Sequence, residues 1–173
     1  MKVLLVDDEP FILQGLSVLI DWAAEGCEIV KMASNGKEAL LYLEDHEADL
    51  VITDIKMPVM SGLELLEQIR GRQISDAFFI ILSGYNDFSY AQKAIRYACM
   101  DYLVKPVQKE ALLELIRKAK SSLAVTEQNA ENERRMQEMQ LKQYIIALLR
   151  GKQNEEELKY VKERLRLGDG GLR

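Results

Sequence analysis

The chain has 173 residues, of which 48% are hydrophobic and 29% charged, and its net charge is −5. These proportions are typical of a globular protein and exclude disordered, collagen-like and disulfide-rich classes. The acidity is concentrated in residues 1–120, with 13 Lys and Arg against 19 Asp and Glu, whereas residues 121–173 carry 10 against 9. This balance argues against a nucleic-acid surface spread over the whole chain.

The chain offers few residues for zinc or histidine chemistry. Cys27 and Cys99 lie far apart in sequence, and His46 is the single histidine. A zinc site or a histidine-based nucleophile is therefore nearly excluded, and two free thiols in a reducing cytosol are expected. No apolar stretch approaches the roughly 18 residues of a membrane span, so we expect a cytoplasmic protein with no membrane partner.

Five short, continuous apolar runs predict strands that are covered on both faces. Five segments with helical spacing alternate with them, beginning near Pro10, Asn35, Ser61 and Asn86 and after Pro106. Regular alternation of this kind produces a parallel sheet with right-handed crossovers. We therefore predict an α/β domain with a doubly wound, five-stranded parallel sheet over residues 1–122. The predicted strands are 3–6, 29–32, 50–52, 78–82 and 102–104.

A long helical linker is predicted to follow this domain. Residues 107–150 contain neither Gly nor Pro, and residues 126–140 are almost entirely polar. A continuous helix over those 44 residues would span roughly 65 Å. The apolar heptad pattern is irregular, which leaves two interpretations of residues 123–150: a weak dimeric coiled coil, or a charged, solvated helix that continues the fifth one.

Residues 151–173 predict one further short amphipathic helix. Asn154 is a plausible N-cap, Leu158, Val161 and Leu165 form an apolar stripe, and Gly168 ends the helix. The stripe needs a surface to cover it. We therefore interpret this segment as the start of an output region that is missing from the chain.

Charged and polar side chains follow four of the predicted strands. Asp7 and Asp8 follow the first strand, Asp54 ends the third, Ser83 ends the fourth and Lys105 follows the fifth. Ligand sites in doubly wound sheets form beyond these strand ends. At about 4 Å, two like charges repel by several kcal/mol at an effective dielectric constant near 20, and a divalent cation removes that cost. Because hard oxygen ligands suit Mg²⁺, the set predicts a magnesium site.

The same residues suit phosphoryl transfer. A carboxylate such as that of Asp54 is a competent nucleophile and would form an aspartyl phosphate. The reaction depends chiefly on in-line positioning and on charge neutralisation, which Mg²⁺, Ser83 and Lys105 would supply together.

Four motifs in order carry a family resemblance. They are Val6-Asp7-Asp8-Glu9, Thr53-Asp54-Ile55-Lys56-Met57-Pro58 with Ser61-Gly62, Leu82-Ser83-Gly84, and Asp101-Tyr102-Leu103-Val104-Lys105-Pro106. Together they closely resemble the receiver domain of bacterial two-component response regulators. The resemblance covers residues 1–122 and implies a flavodoxin-like (βα)5 fold that is phosphorylated by a sensor histidine kinase.

The resemblance also implies roles for individual residues. Asp54 would be the phosphoacceptor, and Asp7, Asp8, Asp54 and the backbone carbonyl of Lys56 would hold Mg²⁺. Such a protein is a signalling switch rather than an enzyme, limited to autocatalytic phosphoryl uptake and slow self-dephosphorylation.

Further implied roles concern the signal that phosphorylation produces. Ser83 and Lys105 would bind the phosphoryl group, Ser83 and Tyr102 would be switch residues, and the Lys105–Pro106 peptide would be cis. For Tyr102 a plain core position is the alternative. A homodimer is expected through the face of the fourth helix, fifth strand and fifth helix, through the linker, or through both.

Residues 83–91 and 19–22 resemble the subfamily whose receivers precede an AraC-type DNA-binding domain. Residues 151–173 contain no helix-turn-helix motif and no basic stripe, so we expect that domain to be absent and this chain alone not to bind DNA. One departure from the family is Ala98, where receivers usually have Gly. If this residue must adopt a left-handed backbone conformation, Ala lowers the stability of the fold by up to about 1 kcal/mol relative to Gly.

Three rival functions compete with this interpretation. An aspartate-based phosphatase needs a second Asp two residues after the nucleophile, where this chain has Lys56. A flavin-binding module needs a phosphate-cradling loop after the first strand, where Asp7 and Asp8 would repel the ligand. A pseudo-receiver that acts only as a dimerisation scaffold stays open.

Overall fold

A computed structural model describes residues 1–84 and 97–149, with side chains described in the second range up to residue 143. The chain divides into two compact units, Met1–Leu123 and Ala124–Arg173. The first unit contains the whole sheet and is the one that carries the candidate site.

The first unit is built on a five-stranded parallel sheet, as predicted. Its strands are β1 (Lys2–Val6), β2 (Glu28–Ala33), β3 (Leu50–Asp54), β4 (Phe78–Ser83) and β5 (Asp101–Val104). Their order in the sheet is β2-β1-β3-β4-β5, and every neighbouring pair is parallel. The direction of strand progression reverses at β1, so the carboxyl ends of β1 and β3 form the switch point where sites occur in such sheets.

Three helices of ten residues each follow the first three strands: α1 (Pro10–Leu19), α2 (Gly36–Asp45) and α3 (Gly62–Gly71). Pro10 occupies the start of α1, where its missing N–H costs nothing. The side chains of Asn35 and Ser61 cap α2 and α3 by accepting backbone N–H groups. The predicted helix that begins near Asn86 lies outside the described residues.

Both faces of the sheet are buried, which explains the continuous apolar runs. Alternate residues of β1 enter different layers: Val3 and Leu5 belong to the layer that includes α1 and the start of the C-terminal helix, whereas Leu4 and Val6 belong to the layer that includes α2 and α3. All four side chains are fully buried. A strand covered on both sides has no polar face to show in its sequence.

The C-terminal helix (Lys109–Leu149) is continuous over 41 residues. Within the first unit, Leu112, Ile116 and Ala119 are fully buried in the core. Beyond residue 123 nearly every described side chain is exposed, including Val125, Met136 and Met139. The helical character of the linker is therefore confirmed through residue 149, while its coiled-coil pairing stays a prediction, and the helix predicted in residues 151–173 lies outside the described residues.

Cys27 and Cys99 are both free thiols. Within the part of the chain that the structure describes, no helix combines the length and the apolar character needed to cross a bilayer.

Ala98, which stands where receivers usually have Gly, adopts a left-handed backbone conformation. Its φ is +55°, and its side chain is exposed. A Cβ is unfavourable at this φ, whereas glycine adopts it without steric cost. Ala98 therefore carries local strain at an exposed position.

We predict that Ala98→Gly raises the free energy of unfolding by up to about 1 kcal/mol, because the strain is removed. Urea unfolding monitored by circular dichroism measures the change. The matched control is Ala24→Gly: Ala24 is also exposed outside a helix, but it does not have a positive φ. A gain equal to that of the control, or a loss, would show that the left-handed residue is not strained.

Candidate functional site

The register of β1 and β3 places two acidic residues side by side. Val6 pairs with Thr53, so Asp7 and Asp54 are the next residues along two adjacent strands. Asp7, Asp8 and Asp54 each offer a carboxylate oxygen, and the three oxygens lie within 4.8 Å of one another. Asp7 is fully buried, Asp54 is partly buried and Asp8 is exposed. The structure thus brings the three predicted carboxylates into one cluster, with one open side.

Asp7 is held rigidly by its neighbours. Its backbone N–H donates to the carbonyl of Ala33 on β2 at 3.1 Å, and the backbone N–H of Glu9 donates to its Oδ1 at 2.9 Å. Its other oxygen, Oδ2, lies 2.8 Å from the Nζ of Lys105. Both oxygens of this buried carboxylate therefore have a donor, as a buried charge requires.

Lys105 reaches the acidic cluster from β5, the strand at one edge of the sheet. Its Nζ lies 2.8 Å from Asp7 Oδ2 and 3.2 Å from Asp54 Oδ1. Its backbone N–H donates to the carbonyl of Ser83 at 2.8 Å, and the Lys105–Pro106 peptide is cis, as the resemblance implied. The lysine that follows β5 is thus a direct partner of the buried Asp7 and of the partly buried Asp54.

Burial and neighbouring charges perturb the titration of this pair. Burial raises the pKa of Asp54 and the charge of Asp7 adds to that effect, while the charge and hydrogen bond of Lys105 oppose it; the pKa ends above its usual value. Burial alone would lower the pKa of Lys105, but the hydrogen bond to Asp7 and the charges of both carboxylates raise it overall. The ammonium is therefore charged at neutral pH and compensates only part of the acidic cluster.

Glycine at position 62 lets α3 approach the backbone of Asp54. A Cβ on Gly62 would overlap the carbonyl oxygen of Asp54 and lie 2.9 Å from Thr53 Oγ1. The Gly62 N–H donates to the carbonyl of Ile55 at 3.0 Å, and the Thr53 hydroxyl donates to the carbonyl of Asp54 at 3.0 Å. The sequence analysis named Gly62 only as part of a motif and did not predict this close approach. Its signal in the sequence was the glycine itself, eight residues after Asp54.

The remaining predicted residues take separate positions. Ser83 is buried at the end of β4, and Asp54 pairs with the preceding residue, Leu82. Tyr102 on β5 is 47% exposed, so the alternative of a plain core residue does not describe it. Lys56 is exposed in the loop after β3, and the role of its backbone carbonyl stays a prediction.

The cluster has the chemistry of a divalent-cation site. Among the contacts that the structure describes, the ammonium of Lys105 pairs with two of the three carboxylates, those of Asp7 and Asp54. Carboxylate oxygens are hard ligands, and one side of the cluster is exposed through Asp8. The residues present can therefore hold a metal ion, and their oxygen ligands suit a hard divalent cation.

Comparison with known proteins places this arrangement in a family. The response regulator receiver domain family matches residues 3–117, and the chain belongs to it. The family is a signalling family whose members are phosphorylated by sensor histidine kinases.

Individual relatives and solved structures agree with this assignment. The chain is 42% identical over 115 residues to the transcriptional regulatory protein HptR of Staphylococcus aureus (strain N315), covering 66% of this chain and 44% of HptR. It is 39% identical over 112 residues to the uncharacterized transcriptional regulatory protein YesN of Bacillus subtilis (strain 168), covering 65% of this chain and 30% of YesN. The matches thus span less than half the length of these curated relatives.

Two solved structures share the fold of the first unit. The REC domain of AraT, a response regulator from Geobacillus stearothermophilus, is 39% identical with a TM-score of 0.68, covering 73% of this chain and 97% of that one. A two component transcriptional regulator AraC from Clostridium phytofermentans is 28% identical with a TM-score of 0.65, covering 72% of this chain and 95% of that one. The similarity to the AraC-type subfamily, expected from the sequence, is therefore confirmed.

We predict that Asp54→Asn stabilises the fold at pH 7 in the presence of EDTA. With a folded-state pKa above the ordinary value of 3.8, Asp54 contributes stability that is present below 3.8 and lost as the pH rises through the folded pKa. The amide removes this loss while Lys105 keeps Asp7 as its partner. Urea unfolding at several pH values should show a gain at pH 7 that shrinks toward pH 3.

Asp8→Asn is the matched control, since it removes the same charge from the exposed member of the cluster. Its gain at pH 7 should be smaller than that of Asp54→Asn. If Asp54→Asn were the less stable protein at pH 7, the interpretation of a costly buried charge at Asp54 would be wrong.

Proposed function

We propose that this chain is a receiver switched by phosphorylation of Asp54, with a sensor histidine kinase as the phosphodonor and Mg²⁺ as the cofactor. The observation that carries the proposal is the contact of one ammonium, that of Lys105, with both Asp7 and Asp54. A pocket that must accept a phosphoryl group needs a cation there.

Asp54 is the acceptor because it combines partial exposure with a fixed backbone. Its side chain is 13% exposed, whereas Asp7 is fully buried and is engaged at both oxygens. A carboxylate oxygen of Asp54 attacks phosphorus, the new O–P bond forms, and the P–N bond to the donor histidine breaks. The leaving imidazole keeps the electron pair and takes a proton from solvent.

Mg²⁺, when bound by Asp7, Asp8, Asp54 and the backbone carbonyl of Lys56, supplies charge neutralisation for the incoming phosphoryl group. Lys105 neutralises a second part of that charge and then pairs with a phosphoryl oxygen. Ser83 donates its hydroxyl to another of these oxygens. Asp7 keeps its backbone partners throughout and orients the site.

We predict that acetyl phosphate adds the mass of one phosphoryl group to the protein in the presence of Mg²⁺ and not in EDTA. Asp54→Asn should take up none, because the attacking oxygen is gone. Intact-mass spectrometry at intervals after mixing measures the uptake.

Asp49→Asn is the control for this experiment, because Asp49 lies at the other end of the sheet, where it accepts the backbone N–H of Lys2. It should be labelled as fast as the unmodified chain. Uptake by Asp54→Asn at the normal rate would identify another acceptor. No uptake by the unmodified chain would favour the pseudo-receiver scaffold.

We propose that phosphorylation is read out by Ser83 and Tyr102. Drawing Ser83 and Lys105 toward the phosphoryl group moves the ends of β4 and β5, which the Lys105–Ser83 backbone hydrogen bond already couples. The half-exposed ring of Tyr102 on β5 then changes its burial. That change alters the face of the fourth predicted helix, β5 and the C-terminal helix, and a homodimer forms there.

A few kcal/mol of differential contact are enough for such a shift. In a longer protein comparable to the curated relatives, this dimer would control transcription.

We predict that beryllofluoride with Mg²⁺, a phosphoryl mimic, shifts the chain from monomer to dimer in sedimentation velocity, and that Tyr102→Ala weakens this shift. Met136→Glu with Met139→Glu tests the linker separately, since both side chains are exposed beyond the first unit. A dimer of equal strength with and without the mimic would contradict the coupling. If the Met136→Glu, Met139→Glu protein were then monomeric, the linker would be a permanent dimerisation element.

A further inference from the structure

The loop between β3 and α3 follows Asp54 and carries Lys56, and its backbone is strained. Val59 in this loop has φ +70°, a conformation that a β-branched residue strongly disfavours, and its side chain is 77% exposed. Packing of its own side chain therefore does not hold it there. Strain of this kind persists only where the surroundings fix the backbone from outside.

The contact that fixes this loop comes from the start of α2. The N–H of Gly36 donates to the carbonyl of Met60, directly after Val59, at 3.0 Å. A Cβ on Gly36 would lie 2.7 Å from that carbonyl oxygen and 3.0 Å from the carbonyl oxygen of Ser61. Both of these neighbours are backbone atoms, so a larger residue at position 36 must displace the loop.

The start of α2 is itself rigid. The carboxylate of Glu38 accepts hydrogen bonds from Lys31 Nζ at 2.7 Å and from the N–H and hydroxyl of Ser34 at 2.8 and 2.9 Å. Asn35 Oδ1 accepts the N–H of Glu38 at 2.9 Å. The hydrogen bond to Lys31, with those from Ser34, lowers the pKa of Glu38 to about 2, so this carboxylate stays ionised over the working pH range.

We infer that Gly36 is a positioning residue for the cation site: it braces the loop after Asp54 from the neighbouring α2 terminus. The inference rests on the proposed function, because the loop matters only if the cluster binds Mg²⁺. The brace has two parts. The first is the hydrogen bond from the Gly36 N–H to the Met60 carbonyl, and the second is the lack of a side chain on Gly36, which allows the two backbones to come this close. With Gly62 holding the other end of the loop on Ile55, the segment that carries Lys56 is fixed at both ends.

The test is Mg²⁺ affinity measured by isothermal titration calorimetry on the full chain, with the unfolding temperature in EDTA measured in parallel. Gly36→Ala should weaken Mg²⁺ binding roughly tenfold, the size of effect found when a partner that orients metal ligands is lost. Gly71→Ala is the matched control, because Gly71 is also helical and a Cβ there meets nothing within 4 Å. It should bind Mg²⁺ like the unmodified chain.

Met60→Ala separates position from stability. It removes a partly buried side chain but leaves the backbone hydrogen bond to Gly36, so it should lower the unfolding temperature and keep the Mg²⁺ affinity. Should Gly36→Ala not fold, Asn35→Ala loosens the same turn by removing only the α2 cap, and it should still weaken Mg²⁺ binding measurably.

The outcomes are distinguishable. Normal Mg²⁺ affinity in Gly36→Ala overturns the brace. If Gly36→Ala does not fold, normal affinity in a folded Asn35→Ala overturns it instead. A loss of affinity in Met60→Ala that matches its loss of stability also overturns it. If the unmodified chain binds no Mg²⁺, the proposed cofactor fails first. In that case the Gly36–Met60 contact is tested by hydrogen exchange of the Gly36 amide. An unprotected Gly36 amide in the folded chain would overturn the brace independently.

Discussion

The placement of the Lys105 ammonium between Asp7 and Asp54 is the interaction on which the rest of the site depends. Lys105 follows β5, and β3 and β4 lie between β5 and β1, the strand that Asp7 follows. At about 4.8 Å per strand, that is a separation of roughly 14 Å at the strand axes, too far for a lysine stem alone. The backbone N–H of Lys105 donates to the Ser83 carbonyl at 2.8 Å, which continues the pairing of Ser83 with Val104 and fixes the point at which the lysine leaves the sheet. The ammonium then offsets part of the cost of holding the buried Asp7 beside the partly buried Asp54.

At Asp54 the described contacts offset the cost of burial only in part, which bears on the proposed function. A fully neutralised cluster would have no electrostatic reason to attract a cation, and an uncompensated one would destabilise the fold. Here burial and the charge of Asp7 outweigh Lys105 at Asp54, whose pKa is raised. The hydrophobic core on both faces of the sheet offsets the unfavourable free energy of the charged Asp54. The proposed phosphoacceptor is thus held in a state that binding of positive charge relieves.

The sequence predicted the features that regular topology dictates. Five apolar runs alternating with helical segments imply a parallel sheet, and in such a sheet residues at strand ends must converge, so Asp7, Asp54, Ser83 and Lys105 could be grouped from the sequence alone. Contacts between loops carry no such signal: Gly36 meets Met60 across 24 positions, and nothing local to either residue announces it. The left-handed Val59 was equally unpredictable, because local preference argues against it and only the fold enforces it. The pairing of Lys105 with a phosphoryl oxygen stays a prediction, and in the structure its ammonium pairs with the carboxylates of Asp7 and Asp54.

These contacts divide the site into two halves with different mechanical character. The backbone around Asp7 and Asp54 is fixed by backbone hydrogen bonds, from Asp7 to Ala33, from Gly62 to Ile55 and from Gly36 to Met60, while the two carboxylates pair with Lys105. Around Lys105 and Tyr102 the relevant groups are long, partly exposed side chains that have rotamers to change. The proposed switch would require this asymmetry, because a metal site must keep its geometry while the groups that respond to a new charge must move. A sheet whose strand order reverses at β1 provides it, since the acids follow interior strands braced from both sides and the lysine follows the strand at the edge of the sheet.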